Sequence, residues 1–170
     1  AHLGLALAIF AAMFWVGLSL VSAQHWRAAD AVQRGVRRFA QAVVLLVFAM
    51  VLTGGLVAGI RAGFAYNTFP LMNGDLVPAE ILLIEPWWRN FVYNMATVQF
   101  DHRVLAWLLT LAVPLLWWRL RRTAGLPWRA RRGGDVLLAL LVAQVALGIA
   151  TLLLAVPIAL AAAHQAGAVL

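Results

Sequence analysis

Apolar residues gather into five runs, at residues 1–22, 41–60, 91–118, 136–156 and 158–170, and arginine, glycine and proline collect between them. A helix needs about 20 residues, at about 1.5 Å of rise each, to cross a hydrocarbon layer of about 30 Å. The first four runs meet that length. The fifth, with about 13 residues, reaches only about 20 Å. The pattern predicts an all-α integral membrane helix bundle with five transmembrane helices. Pro157 suits the first helical position of the last of them. Residues 78–85 alternate charged and aliphatic side chains and are expected to form a short interfacial helix.

Composition agrees. The chain is 65% hydrophobic and 11% charged, with a mean hydropathy of +0.91. Soluble domains use far more charge, and disordered chains far less apolar residue. The net charge of +7 would suggest nucleic acid in a soluble protein, but here the positives lie between apolar runs, so the lipid bilayer is the partner and nucleic acid is not. Segment 23–40 carries Arg27, Arg34, Arg37 and Arg38, and segment 119–135 carries Arg119, Arg121, Arg122, Arg129, Arg131 and Arg132. Segment 61–90 sets Arg61 and Arg89 against Asp75, Glu80 and Glu85. Arginine excess marks the inner side, which puts 23–40 and 119–135 inside and 61–90 outside. Trp87, Trp88, Trp117 and Trp118 fall where interfacial aromatic belts are expected. Cysteine is absent, which removes disulfides, thiolate metal sites and covalent c-type heme attachment. The chain opens without methionine inside an apolar run, and its last run stops short, so it reads as a fragment cut at both ends.

The third run carries the chemistry. Its uninterrupted apolar part, 104–118, spans about 22 Å and cannot cross alone. Gln99, Asp101, His102 and Arg103 are thereby drawn to the membrane edge or into it, at about 2.5–3.5 kcal/mol per charge at mid-bilayer. An Asp101–Arg103 pair at the interface is the plainer alternative. His164 lies about 10 Å inside the outer end of the fifth run, and His102 about 12 Å inside that of the third. Two imidazoles at matched depth on different helices suit bis-His ligation of heme iron in a bundle core. Zinc would need further ligands at that level, where only Asp101 is near. Noncovalent heme b is the expected cofactor. Arg103 and Arg61 are candidates to pair with its propionates, against simple snorkelling for Arg61. Small residues near the histidines (Ala106, Ala163, Gly167 and Ala168) would admit a flat porphyrin or serve plain helix packing. Thr53-Gly54-Gly55 with Gly59, and the stripe Gln144, Gly148, Thr151, read as close helix packing. Ala-His with small and aliphatic residues after it occurs at both ends of the chain, at Ala1-His2 and Ala163-His164, as one period of a duplicated four-helix unit would show. His2 is therefore a third candidate ligand.

The stretch AGIRAGFAYNTFPLMNG (58–74), followed by TVQFDHRVLAW (97–107), strongly resembles the heme A synthase family. The opening AHLGLALA and the closing AAAHQ agree with it. The resemblance implies an eight-helix protein of two four-helix halves. Residues 1–22 would be the last helix of the first half, 23–40 a cytoplasmic loop, and 41–170 the second half. It implies a membrane oxidoreductase that oxidises the methyl group of heme O to the formyl group of heme A for cytochrome oxidase assembly. In the family the second-half histidines, matching His102 and His164, bind an electron-transferring heme b. The substrate heme lies in the first half, where the later histidine matches His2. The earlier histidine and the glutamate thought to be catalytic would lie upstream, so no catalytic residue is expected here and this chain alone should be inactive. Gln99 stands where an acid would mark the oxidising half. The absence of cysteine resembles the mitochondrial and proteobacterial branch. Implied partners are heme O from a heme O synthase and an unidentified electron donor, with a homo-oligomer compatible, in a bacterial plasma membrane or a mitochondrial inner membrane. The competing readings are a non-catalytic b-type cytochrome that relays electrons, and a transporter or assembly scaffold with polar residues along a pathway.

Overall fold

In the computed structural model, residues 2–21 and 31–169 are described. They form helices α1 (His2–Val21), α2 (Ala31–Gly59), α3 (Asn90–Tyr93), α4 (Met95–Arg122), α5 (Trp128–Leu153) and α6 (Ile158–Gly167), with short 3-10 turns at Ala62–Phe64 and Trp87–Arg89. The β structure among the described residues is one isolated bridge, Met72 to Asp75. By length and composition α2, α4 and α5, with 29, 28 and 26 residues, can cross a membrane. At 10 residues, α6 extends about 15 Å and does not cross by itself.

Helices α2, α4, α5 and α6 pack in chain order, each against the next, with α1 beside α2. Val36 and Val43 of α2 meet Leu109, Val113 and Leu116 of α4 in the main core, with Leu137, Leu138 and Leu141 of α5 alongside. Most other apolar side chains point outward, Val44, Leu45, Leu111 and Val142 among them, as a lipid-facing surface requires.

Several expected boundaries move. Residues 31–40 are not loop but the start of α2: Ala, Gln and Arg are good helix formers, Val36 reaches the core, and Arg119 lies 4.7 Å over the Phe39 ring. The rest of that expected loop, 23–30, lies outside the described residues. Helix α5 likewise begins eight residues before the apolar run does, because Gly134 lets α4 close in: a Cβ there would stand 2.8 Å from Leu120 Cδ1. Asp135 then takes Arg121 at 2.6 Å and the Trp117 indole N–H at 2.8 Å. The third run is broken at Asn94, which has φ −89° and ψ 114° and accepts from the amides of Ala96 and Thr97 as the N-cap of α4. Pro157 is the extended residue before α6 and not its first helical one.

Residues 78–85 do not form the expected interfacial helix. Leu82 has φ +59°, which ends helical geometry after a single turn. Side chains then take over the backbone: Thr97 Oγ1 accepts from Leu82 N at 3.2 Å, and the Asn90 amide both accepts from Ile84 N and donates to Ile84 O. The loop 61–90 is thus held by asparagines. Asn67 donates to Gly63 O and Leu152 O, both at 2.9 Å, and so ties the loop to the end of α5. Asn94 donates to Glu80 O at 2.8 Å.

Candidate functional site

His102 is in the second turn of α4, about 10 Å from that helix's start, and His164 is about 9 Å into α6. Each lies in a notch in the helix that precedes its own in the packing order. A Cβ on Gly54 of α2 would stand 3.2 Å from His102 Cε1. A Cβ on Gly148 of α5 would stand 3.0 Å from His164 Cε1 and 3.4 Å from its Nε2. Backbone without side chain is what allows both rings to lie this close. Neither glycine was read as part of a site in the sequence, where packing was the expectation.

The partners of the two rings differ. His102 Nδ1 lies 3.0 Å from Thr53 Oγ1. His164 Nδ1 is buried without a hydrogen-bond partner, although the His164 carbonyl accepts from Gln144 Nε2 at 3.1 Å. Gln144 Oε1 is also buried without one. Among the described residues no cluster of three or more His, Cys, Asp or Glu could hold a bare metal ion. Two histidines alone suit a metal whose remaining ligands come from a macrocycle. The two glycine notches hold the histidine rings against neighbouring backbone, and the buried His164 Nδ1 is left without a partner.

Around His102 the polar residues face the loop 61–90. Buried Gln99 donates through Nε2 to Ala62 O at 3.1 Å and to Tyr66 O at 3.2 Å. Arg103 donates through one terminal nitrogen to Pro70 O and Leu71 O, each at 3.3 Å, and through the other to Tyr66 O at 3.1 Å and Gln99 Oε1 at 3.5 Å. No Asp101–Arg103 ion pair forms; among the described residues the ion pair present is Arg121–Asp135. The Arg103 charge therefore faces carbonyl dipoles with no carboxylate to neutralise it, and its Nε is buried and unpartnered. Phe69 stacks on Trp107 at 5.8 Å between ring centroids. Arg61, exposed and at φ +57°, marks the break after α2. The side chain of His2 lies outside the described residues.

An open cleft of about 560 Å³ lies between the loop 61–90 and the start of α4, lined by Tyr66, Asn73, Glu80, Tyr93 and Asn94 among others, and includes neither histidine. There Tyr66 donates to Glu80 at 2.9 Å. Burial, and then the Glu80 carboxylate, push the Tyr66 phenol above its usual range.

The model of the family described as cytochrome oxidase assembly protein (COX15-CtaA) matches residues 1–170. The chain belongs to this family. It is 55% identical over 170 residues to a heme A synthase of Nitrosospira multiformis, covering 100% of this chain and 48% of that protein. A heme A synthase of Nitrosomonas eutropha is 52% identical over 171 residues, with 100% and 48% covered. The mouse protein named heme A synthase COX15 is 44% identical over 167 residues, with 98% of this chain and 40% of the mouse protein covered. The chain thus spans about half the length of the curated relatives it matches. No solved structure matches it significantly. The cytochrome oxidase assembly family has bacterial and mitochondrial members among these relatives, and this chain shares their apolar helices.

Proposed function

We propose that this chain is the heme b-carrying part of a heme A synthase: residues 41–170 as a four-helix membrane unit, preceded by one helix of a companion unit, in a bacterial plasma membrane or its mitochondrial equivalent. The relatives are named heme A synthase, and the family resemblance implies the reaction, oxidation of a heme O methyl to the heme A formyl. One observation carries the role of this part. His102 and His164 sit on separate helices, each about two turns from its helix start and each against a glycine, and His164 Nδ1 is buried without a partner. A bound heme b would accept and pass on single electrons there.

The chain's own residues do the remaining work. Gln99 and Arg103 fix the outer loop over the end of α4, which covers the site from the aqueous side. The Arg103 guanidinium, and Arg61 from the break after α2, supply positive charge for propionates. The residue one turn before His102, Gln99, is an amide that only donates and accepts hydrogen bonds, so that position supplies no acid–base group. His2 would belong to a substrate heme pocket completed elsewhere. The test is the spectrum of the purified full-length membrane protein. His102→Ala and His164→Ala should each abolish the low-spin six-coordinate b-type signal of this centre. An unaltered signal in both variants would overturn the assignment.

A further inference from the structure

Thr53 has a single hydroxyl proton and two neighbours. Its Oγ1 lies 3.0 Å from Met50 O, one turn back in α2, and 3.0 Å from His102 Nδ1. A carbonyl oxygen can only accept, so the hydroxyl proton goes to Met50 O. With Oγ1 as the acceptor, the proton in the contact with the ring is assigned to His102 Nδ1, which leaves the lone pair on Nε2. Gly54, the next residue in α2, sets the ring's position by offering no Cβ against Cε1. His164 lacks such a partner on its Nδ1.

The geometry points to Thr53 as a positioning residue that presents His102 Nε2 to the heme iron and strengthens it as a donor. The inference rests on the bis-His reading above. A hydrogen bond from the distal N–H of a ligating histidine raises the ligand's basicity, and losing such a partner commonly weakens metal sites severalfold or more. A more basic ligand favours ferric over ferrous iron, so the centre is expected to be asymmetric, with His102 the stronger ligand and His164 the weaker.

The experiment compares Thr53→Val and Thr53→Ser with the wild type in the full-length membrane protein, reading the heme midpoint potential and the low-spin electron paramagnetic resonance. Valine keeps the shape and loses the hydroxyl; serine keeps the hydroxyl. In Thr53→Val the ratio of reduced to oxidised heme at a fixed potential should rise about three- to tenfold, a tenfold rise being ~59 mV for one electron. Thr53→Ser should match the wild type. Should the valine variant insert normally but lose its heme, retention of heme by the serine variant supports the inference and loss in both overturns it. Wild-type potential and resonance in Thr53→Val overturn it, as does a shift in Thr53→Ser equal to that in Thr53→Val. A wild-type protein with no low-spin bis-His signal fails earlier, and overturns the heme assignment together with this inference.

Discussion

Gln99 shows how a single atom type decides what a position can do. Its Nε2 donates to two loop carbonyls, which have no other use for an acceptor in its place. A carboxylate at 99 would set an acceptor against two acceptors in a buried position and lose both bonds. Gln99→Glu should therefore destabilise the α4–loop junction by about 1–3 kcal/mol, on the scale of a buried polar group left unsatisfied. It should also speed proteolytic cleavage in 61–90. Unchanged thermal stability and cleavage rates would show that the amide has no such part. The same contacts explain why an amide, and not the acid expected of an oxidising site, stands one turn before His102.

At the scale of helices, glycine notches let α4 and α6 bring their histidines against α2 and α5. Gly148→Ala places a methyl 3.0 Å from His164 Cε1, closer than side-chain contacts normally come. The ring or α6 must shift by several tenths of an ångström, and ligand geometry tolerates little displacement. Gly148→Ala should lower heme occupancy or disturb its low-spin resonance. Gly59→Ala, where nothing lies within 4 Å of the added methyl, should leave both as in the wild type. Equal spectra for the two variants would detach the notch from heme binding.

The whole molecule is organised by where its charge lies. Arginines of α2, α4 and α5 gather at one end of the bundle, and the asparagine-braced loop 61–90 closes the other. That arrangement predicts that a single cysteine at position 73 reacts with impermeant reagent from the outer side, and that one at position 125 reacts only after the membrane is opened. The reverse pattern would invert the topology. A second expectation follows from the site. On the proposed relay role, with an amide at Gln99 one turn before His102, this 170-residue chain expressed alone in a heme O-producing host without its own synthase should accumulate no heme A. Heme A in the extracted pigment would place the catalytic groups within this chain.

Some of this was determined by the chain's residues alone. Apolar runs of membrane length and the arginine excess between them dictate an all-α membrane bundle, because an unpaired backbone cannot sit in lipid and helices satisfy it internally. The resemblance carried by residues 58–74 and 97–107 led to the family that the comparison then showed. His102 and His164 stood out because an imidazole in an apolar run has a cost that calls for a use. What the sequence could not supply were relations between residues far apart along it. Helix ends moved by up to ten residues, since Val36 and Gly134 are decided by what α4 presents to them. The charge–aliphatic alternation of 78–85 looked helical until Thr97 and Asn90, residues of other elements, took its backbone bonds. Thr53, Gly54 and Gly148 read as packing because their partners lie on other helices. Only folding brings a hydroxyl and two bare backbones against the two rings, and thereby gives small, commonplace residues their bearing on the site.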